Sequence, residues 1–161
     1  MPKRNFATAT KLVKVLAAAA DAAGRAGRAV NLKNAGYATV IVNISQGNAA
    51  VVPITLQQAR DVAGTGAKAL TNPVPIWANL DTDATDTLVR QADAVAFTTD
   101  AAVKSKTVVF HIDPAYLDVT NGYRTLIVST GASNAGNVTS VDVLLDGHRY
   151  QSEPLPSAIV D

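Results

Sequence analysis

The chain reads as an all-β protein, a sandwich or a barrel, on three observations. Val, Ile and Thr together supply 43 of its 161 residues, a level that favours pleated backbone. Apolar residues recur at every second position in one short run after another, the period of a strand with one buried face. Turn residues separate these runs, and no regular strand–helix alternation suggests parallel βαβ units. Alanine, at 29 residues, pulls toward helix by propensity. Its positions remove the conflict: the alanines crowd into 17–29, 49–69 and 92–102, beside the β-branched runs.

Residues 10–23 fit two conformations. Thr10 can cap a helix that Gly24 ends. Equally, Lys11-Leu12-Val13-Lys14-Val15-Leu16 alternates charge and bulk like a strand, with 17–27 a connection to a second strand at 28–33. The extended reading is preferred. Residues 39–44 set Val40, Val42 and Ile44 against Thr39 and Asn43. A turn at Ser45-Gln46-Gly47-Asn48 follows, where Gly47 or Asn48 takes positive φ at low cost. Residues 50–56 then resume with Val52, Ile54 and Leu56 in phase, so the two runs predict a hairpin. Pro53 cannot donate to a ladder, which predicts an edge strand or an outward-turned missing N–H. A second short helix is an option over 56–62, broken by Gly64 and Gly66.

Further runs lie at 73–79 (Val74, Ile76 and Ala78 against Pro75 and Trp77), 88–98, 106–113, 124–129 and 140–145. In 106–113, Val108, Phe110 and Ile112 point inward and His111 outward. Asp113-Pro114, Asn121-Gly122, the small-residue loop 131–137 and Asp146-Gly147 supply turns. The expected core is Val40, Val42, Ile44, Val52, Ile54, Val108, Phe110, Ile112, Leu126, Val128, Val141 and Val143.

The length suits one domain, which should bury about 70% of its unfolded surface without staples. The expected organisation is a basic N-terminal arm at 1–14, a β-sandwich domain at 15–151 and an extended C-terminal tail at 152–161, with Pro154 and Pro156. Absent cysteine excludes disulfides, thiolate zinc sites and thiol nucleophiles. No run of eighteen apolar residues spans a membrane. The apolar stretch 12–20 is interrupted by Lys14 and is not read as a signal peptide.

Charge is sorted along the chain. Residues 1–33 hold seven of the fourteen Lys and Arg and one acid, Asp21, giving +6 against −5 for the remainder. Such a chain is suited to docking onto an acidic protein surface, including copies of itself. The candidate partner-binding residues are Lys3, Arg4, Lys11, Lys14, Arg25 and Arg28; the bland alternative is a solvated face.

Catalytic patterns each lack a required part. His111 and His148 are far apart and no cysteine accompanies them, so no metal is expected. Asp81, Asp83 and Asp86 have oxygen-rich spacing but lack the glycine and distal glutamate of a calcium loop; a solvated turn is the plainer reading. Gly131-Ala132-Ser133-Asn134-Ala135-Gly136 misses the serine-nucleophile spacing, and Gly64-Thr65-Gly66-Ala67-Lys68 misses that of a phosphate loop. The one glutamate, Glu153, lies in the tail. Gly24-Arg25-Ala26-Gly27 superficially matches an RNA-clamping turn, but only Phe6 is near to stack on a base. The chain is therefore read as a non-enzyme, with no cofactor, no small-molecule substrate, no membrane and nucleic acid disfavoured. A carbohydrate-binding sandwich would want exposed aromatics in a groove; Trp77, the single Trp, reads as structural. A cupin-like hydrolase would want a histidine cluster.

Residues 30–50 (VNLKNAGYATVIVNISQGNAA), 56–70 (LQQARDVAGTGAKAL), 89–102 (VRQADAVAFTTDAA) and the closing 156–161 (PSAIVD) resemble a family of small virion structural proteins of tailed bacteriophages, of the capsid-decoration type. The resemblance covers most of 10–161, and its motifs are signatures of fold with no site residues to carry over. It implies a β-sandwich of jelly-roll type located in the virion, a homo-oligomer whose partners are the major capsid protein and neighbouring copies of itself. A decorating or cementing role on the capsid exterior is the first expectation. A head–tail or tail component, or a receptor-binding module on the virion, is the alternative.

Overall fold

A jelly roll is a long antiparallel hairpin rolled up so that strands along each arm alternate between two sheets. The chain does this in the computed structural model, which describes residues 5–150, 152 and 154–161. Four nested antiparallel pairings define the roll. They join β1 (Lys11–Ala20) to β12 (Asn137–Asp146), and β2 (Arg25–Ala26) with β3 (Val30–Asn31) to β11 (Thr125–Thr130). They then join β4 (Tyr37–Gln46) to β10 (Ser105–Ile112), and β5 (Pro53–Ala59) to β9 (Ala96–Thr98). Between β5 and β9 the chain inserts β6 (Lys68–Ala69) beside β5, then β7 (Val74–Asn79) and β8 (Val89–Ala94). One sheet is ordered β1-β12-β4-β10-β7-β8 and the other β2-β11-β5-β6. A four-residue helical turn, α1 (Phe6–Ala9), precedes β1, its backbone capped by Asn5.

The core follows from the alternation. All twelve residues expected inside are buried, joined by Leu56, Val74, Ile76 and Leu145, and Phe110 has no exposed surface. Register explains the layering: Val42 lies between Val108 and Val141, and Val40 between Phe110 and Val143, so neighbouring strands present one continuous inward face.

The predicted hairpin across 45–48 does not form. β4 lies in the first sheet and β5 in the second, so residues 47–52 turn a corner between layers. Gly47 does not use positive φ, which its residue type had suggested. A Cβ there would fall 2.6 Å from the Gly136 carbonyl oxygen, so glycine serves close backbone approach instead. The run 88–98 likewise splits, β8 staying in the first sheet and β9 crossing to the second. The optional helix over 56–62 is absent: β5 continues to Ala59, and a turn follows. Pro53 opens β5, a strand flanked by β11 on one side and β6 and β9 on the other. It thus occupies a strand's first position, not an edge.

Residues 11–20 are extended, as preferred, and form an edge strand with irregular register between Lys14 and Leu16 and between Leu16 and Ala19. Such bulges hinder pairing with a further strand. Because β1 starts at Lys11, residues 11–14 of the expected arm are paired within the sheet. Gly27 permits the crossing from β2 toward β3, since a Cβ there would sit 2.0 Å from the Val128 carbonyl oxygen. The tail closes on its own body: Ala158 is buried, and the Asn31 N–H donates to its carbonyl at 2.7 Å.

Candidate interaction surface

The four sequence candidates within the described residues have different surroundings. Lys3 and Arg4 lie outside the described residues. Lys11 donates to the Leu155 carbonyl at 3.2 Å, tying the start of β1 to the tail. Lys14, on the outward face of β1, meets the Asp142 carboxylate at 2.7 Å. That pair is solvent-exposed and adds little stability. Arg28 is exposed, and no ion pair within the described residues engages its side chain.

Arg25 serves the interior. Asp21 is fully buried, and its Oδ1 accepts from Arg25 Nε and from Thr130 Oγ1, both at 2.7 Å. Its Oδ2 accepts from Thr139 Oγ1. The guanidinium donates further to the carbonyls of Ala17 and Thr139. These partners come from β1 and β12 of one sheet and β2 and β11 of the other, so the pair clasps the two layers together. A buried carboxylate is tolerable only with such complete hydrogen bonding.

A second clasp stands at the same end of the sandwich. Lys106 follows the inward phase of Val108 and Phe110 and has a fully buried side chain. Its ammonium donates to Asp100 Oδ1 at 2.7 Å, Gln46 Oε1 at 2.9 Å, and the carbonyls of Asp100 and Ala102. The bond from Lys106 holds the Asp100 carboxyl below its ordinary pKa. Gln46 and Asn137 both donate to the Ala50 carbonyl, and Asn137 also donates to Ser133 Oγ, which joins this end into one polar network.

Loop 81–88 projects from this end as well. Asp81 is bound by Lys104, which lowers its pKa and raises that of Lys104. Asp83 and Asp86 are exposed, with no ion pair among the described residues. Among the described residues no three His, Cys, Asp or Glu side chains converge, so the Asp81, Asp83 and Asp86 spacing does not become a cation cage. His111 instead packs on Tyr37, ring centroids 5.3 Å apart, and the His148 ring nitrogen meets the Leu145 carbonyl.

The opposite end, where β4 and β11 begin, is open. A cleft of ≈ 290 Å³ is lined by Leu32, Lys33, Pro114, Val119, Gly122, Tyr123, Arg124 and Arg149. A wider one of ≈ 610 Å³ adjoins it through the shared residues Pro114, Val119 and Arg149. The Tyr123 ring carries Lys68 Nζ at 4.2 Å and Arg60 Cζ at 5.4 Å, and its hydroxyl donates to the Gly66 carbonyl. Lys68 also pairs with Asp118, whose pKa it lowers. Arg124 approaches Asp161 at 3.7 Å, whereas Lys33 and Arg149 have no ion-pair partner among the described residues. The cluster is built from segments more than a hundred residues apart, and no local pattern announces it.

Apolar side chains are also exposed at the N-terminal side, Phe6 at 57% and Leu12 at 56%. No residue of α1 is buried.

No family model and no curated protein matches the chain. Solved structures are similar at low identity. The SPBc2 prophage-derived protein YomS is 14% identical, covering 84% of this chain and 91% of its own, with a TM-score of 0.48. A chain of the Cowpea Mosaic Virus empty virus-like particle is 10% identical over 92% of this chain and 89% of its own, with a TM-score of 0.39. A family 11 carbohydrate-binding module from Clostridium thermocellum is 11% identical over 91% and 92%, with a TM-score of 0.33.

Proposed function

We propose that the chain is a non-enzymatic structural component of a tailed-bacteriophage particle, a decoration protein that binds the capsid exterior and cements it. The observation that carries this reading is the N-terminal segment. Residues Phe6–Ala9 form an ordered turn that buries nothing, with Phe6 exposed, between basic Lys3 and Arg4 and an edge strand displaying Leu12 and Lys14. An exposed apolar turn such as Phe6–Ala9, which contributes nothing to the core, next to a basic stretch of sequence, is suited to a neighbouring surface. The sequence resemblance to virion structural proteins supports the same reading, and repetition over a lattice would turn weak contacts into tight attachment. A carbohydrate-binding role asks for an open aromatic face, whereas the Trp77 ring is faced by the Arg90 guanidinium at 4.9 Å.

The β1 pairing begins at Lys11, outside residues 1–9, and the fold of the chain lacking 1–9 is checked separately so that docking and folding are told apart. Co-sedimentation with phage shells that lack the protein should fall to background for the truncated chain while its circular dichroism stays unchanged. Undiminished sedimentation of a folded truncated chain would overturn the proposal.

A further inference from the structure

The two ends of the sandwich are complementary. At the open end, Lys33, Arg124 and Arg149 line a cleft whose floor and lip are apolar, with Leu32 buried and Val119 exposed. Two of these cations lack an ion-pair partner among the described residues. At the closed end, residues 82–89 are all exposed, and read Thr-Asp-Ala-Thr-Asp-Thr-Leu-Val. That segment offers two carboxylates without an ion-pair partner among the described residues, Asp83 and Asp86, followed after Thr87 by two exposed apolar side chains, Leu88 and Val89.

Register puts the two features at opposite ends. Asn79 pairs with Thr107 and Thr107 with Asn43, near the finish of β4. Thr125 pairs with Asn31 and Ala59, and the Gly36 N–H donates to the Asp146 carbonyl, at the end where β4 starts. Within one molecule the acidic loop therefore cannot reach the cationic cleft.

We propose that the cleft receives loop 82–89 of a second copy, so that the protein associates head to tail. Asp83 and Asp86 would face Lys33 and Arg149, while Leu88 would enter the ≈ 290 Å³ hollow beside Val119. The cleft has room for a side chain or two, and not for a whole element. The contact uses different surfaces on its two sides, so it builds closed rings or open chains and does not stop at a two-fold dimer. Opposite charges steer such encounters and are screened by salt. This association belongs to the purified protein and stands or falls apart from binding to a capsid shell.

Sedimentation velocity on the full chain, over a concentration series at about 50 mM and about 500 mM salt, tests it. The weight-average mass should rise with concentration at low salt and fall back at high salt. Lys33→Glu with Arg149→Glu should weaken self-association by roughly tenfold or more, and Asp83→Lys with Asp86→Lys should do the same. Combining all four substitutions in one chain should restore it, as should mixing the two double variants. All of these sites are exposed and away from the core, and circular dichroism checks that each variant is folded. A monomer at every concentration overturns the proposal and leaves the cleft to an acidic segment of another protein. Association indifferent to both reversals, or lost in both without recovery in the combined chain, overturns it equally.

Discussion

The two ends of the roll handle charge in opposite ways. At the closed end, Asp21 and Lys106 are drawn inward and saturated with hydrogen bonds, with Arg25 and the half-exposed Asp100 as their charged partners, and Gln46, Asn137 and the Ala50 carbonyl link the region. At the open end, Lys33, Arg124 and Arg149 surround a hollow, and two of them are left unpaired among the described residues. A charge buried with partners fixes how the layers meet; a charge left at a rim sets what can approach. The first kind should govern stability and the second association.

The sharpest test of that division is Asp21→Ala. It strands the Arg25 guanidinium and two threonine hydroxyls between the sheets, and should cost about 3–5 kcal/mol in urea denaturation. A loss within error would mean that the clasp is ornamental. Next comes Lys106→Met, which keeps the length of the side chain but takes the ammonium from the Asp100 carboxylate and the Ala102 carbonyl, leaving Gln46 Oε1 only its bond from Thr99 Oγ1. The expected cost is about 1–3 kcal/mol by the same measurement.

Acid should act through the same clasp. The folded-state pKa of Asp100 is lowered chiefly by the Lys106 hydrogen bond, so its contribution is fully present above the ordinary carboxylate pKa. It disappears as pH falls through the lowered folded-state value. The urea midpoint should therefore drop as pH falls below about 4, and drop less in Lys106→Met than in the native chain. Equal acid sensitivity in both would remove Asp100 as a cause. The smallest effect is expected outside both clasps: Arg28→Glu should change stability by no more than about 0.5 kcal/mol, because its side chain is exposed.

Arg25 and Arg28 show how far a linear charge count reaches. They stand three residues apart in the same basic segment, yet one fastens the two sheets and the other points to solvent. Asp21 stands four residues before Arg25, but what draws that pair inward is Thr130 and Thr139, more than a hundred residues away. Lys106 was more legible, because it shares parity with Val108, Phe110 and Ile112, and a lysine on an inward phase needs acceptors. The open-end cleft had no such local signal: Lys33, Arg124 and Arg149 meet only after the roll closes.

By itself, the sequence determined which side of each strand faces the core, from Val40 through Val143, because side chains alternate with period two and burial follows that period. Only the tertiary structure decided which sheet each strand joined. Both sheets turn the same kind of apolar face toward a common interior, so alternation is identical in either layer. Thus β4 and β5, read as a hairpin, part at a corner, and the run 88–98 divides between layers. The positions of the charges followed from that choice, since a side chain's partners are set by the strands laid beside it and not by its neighbours along the chain.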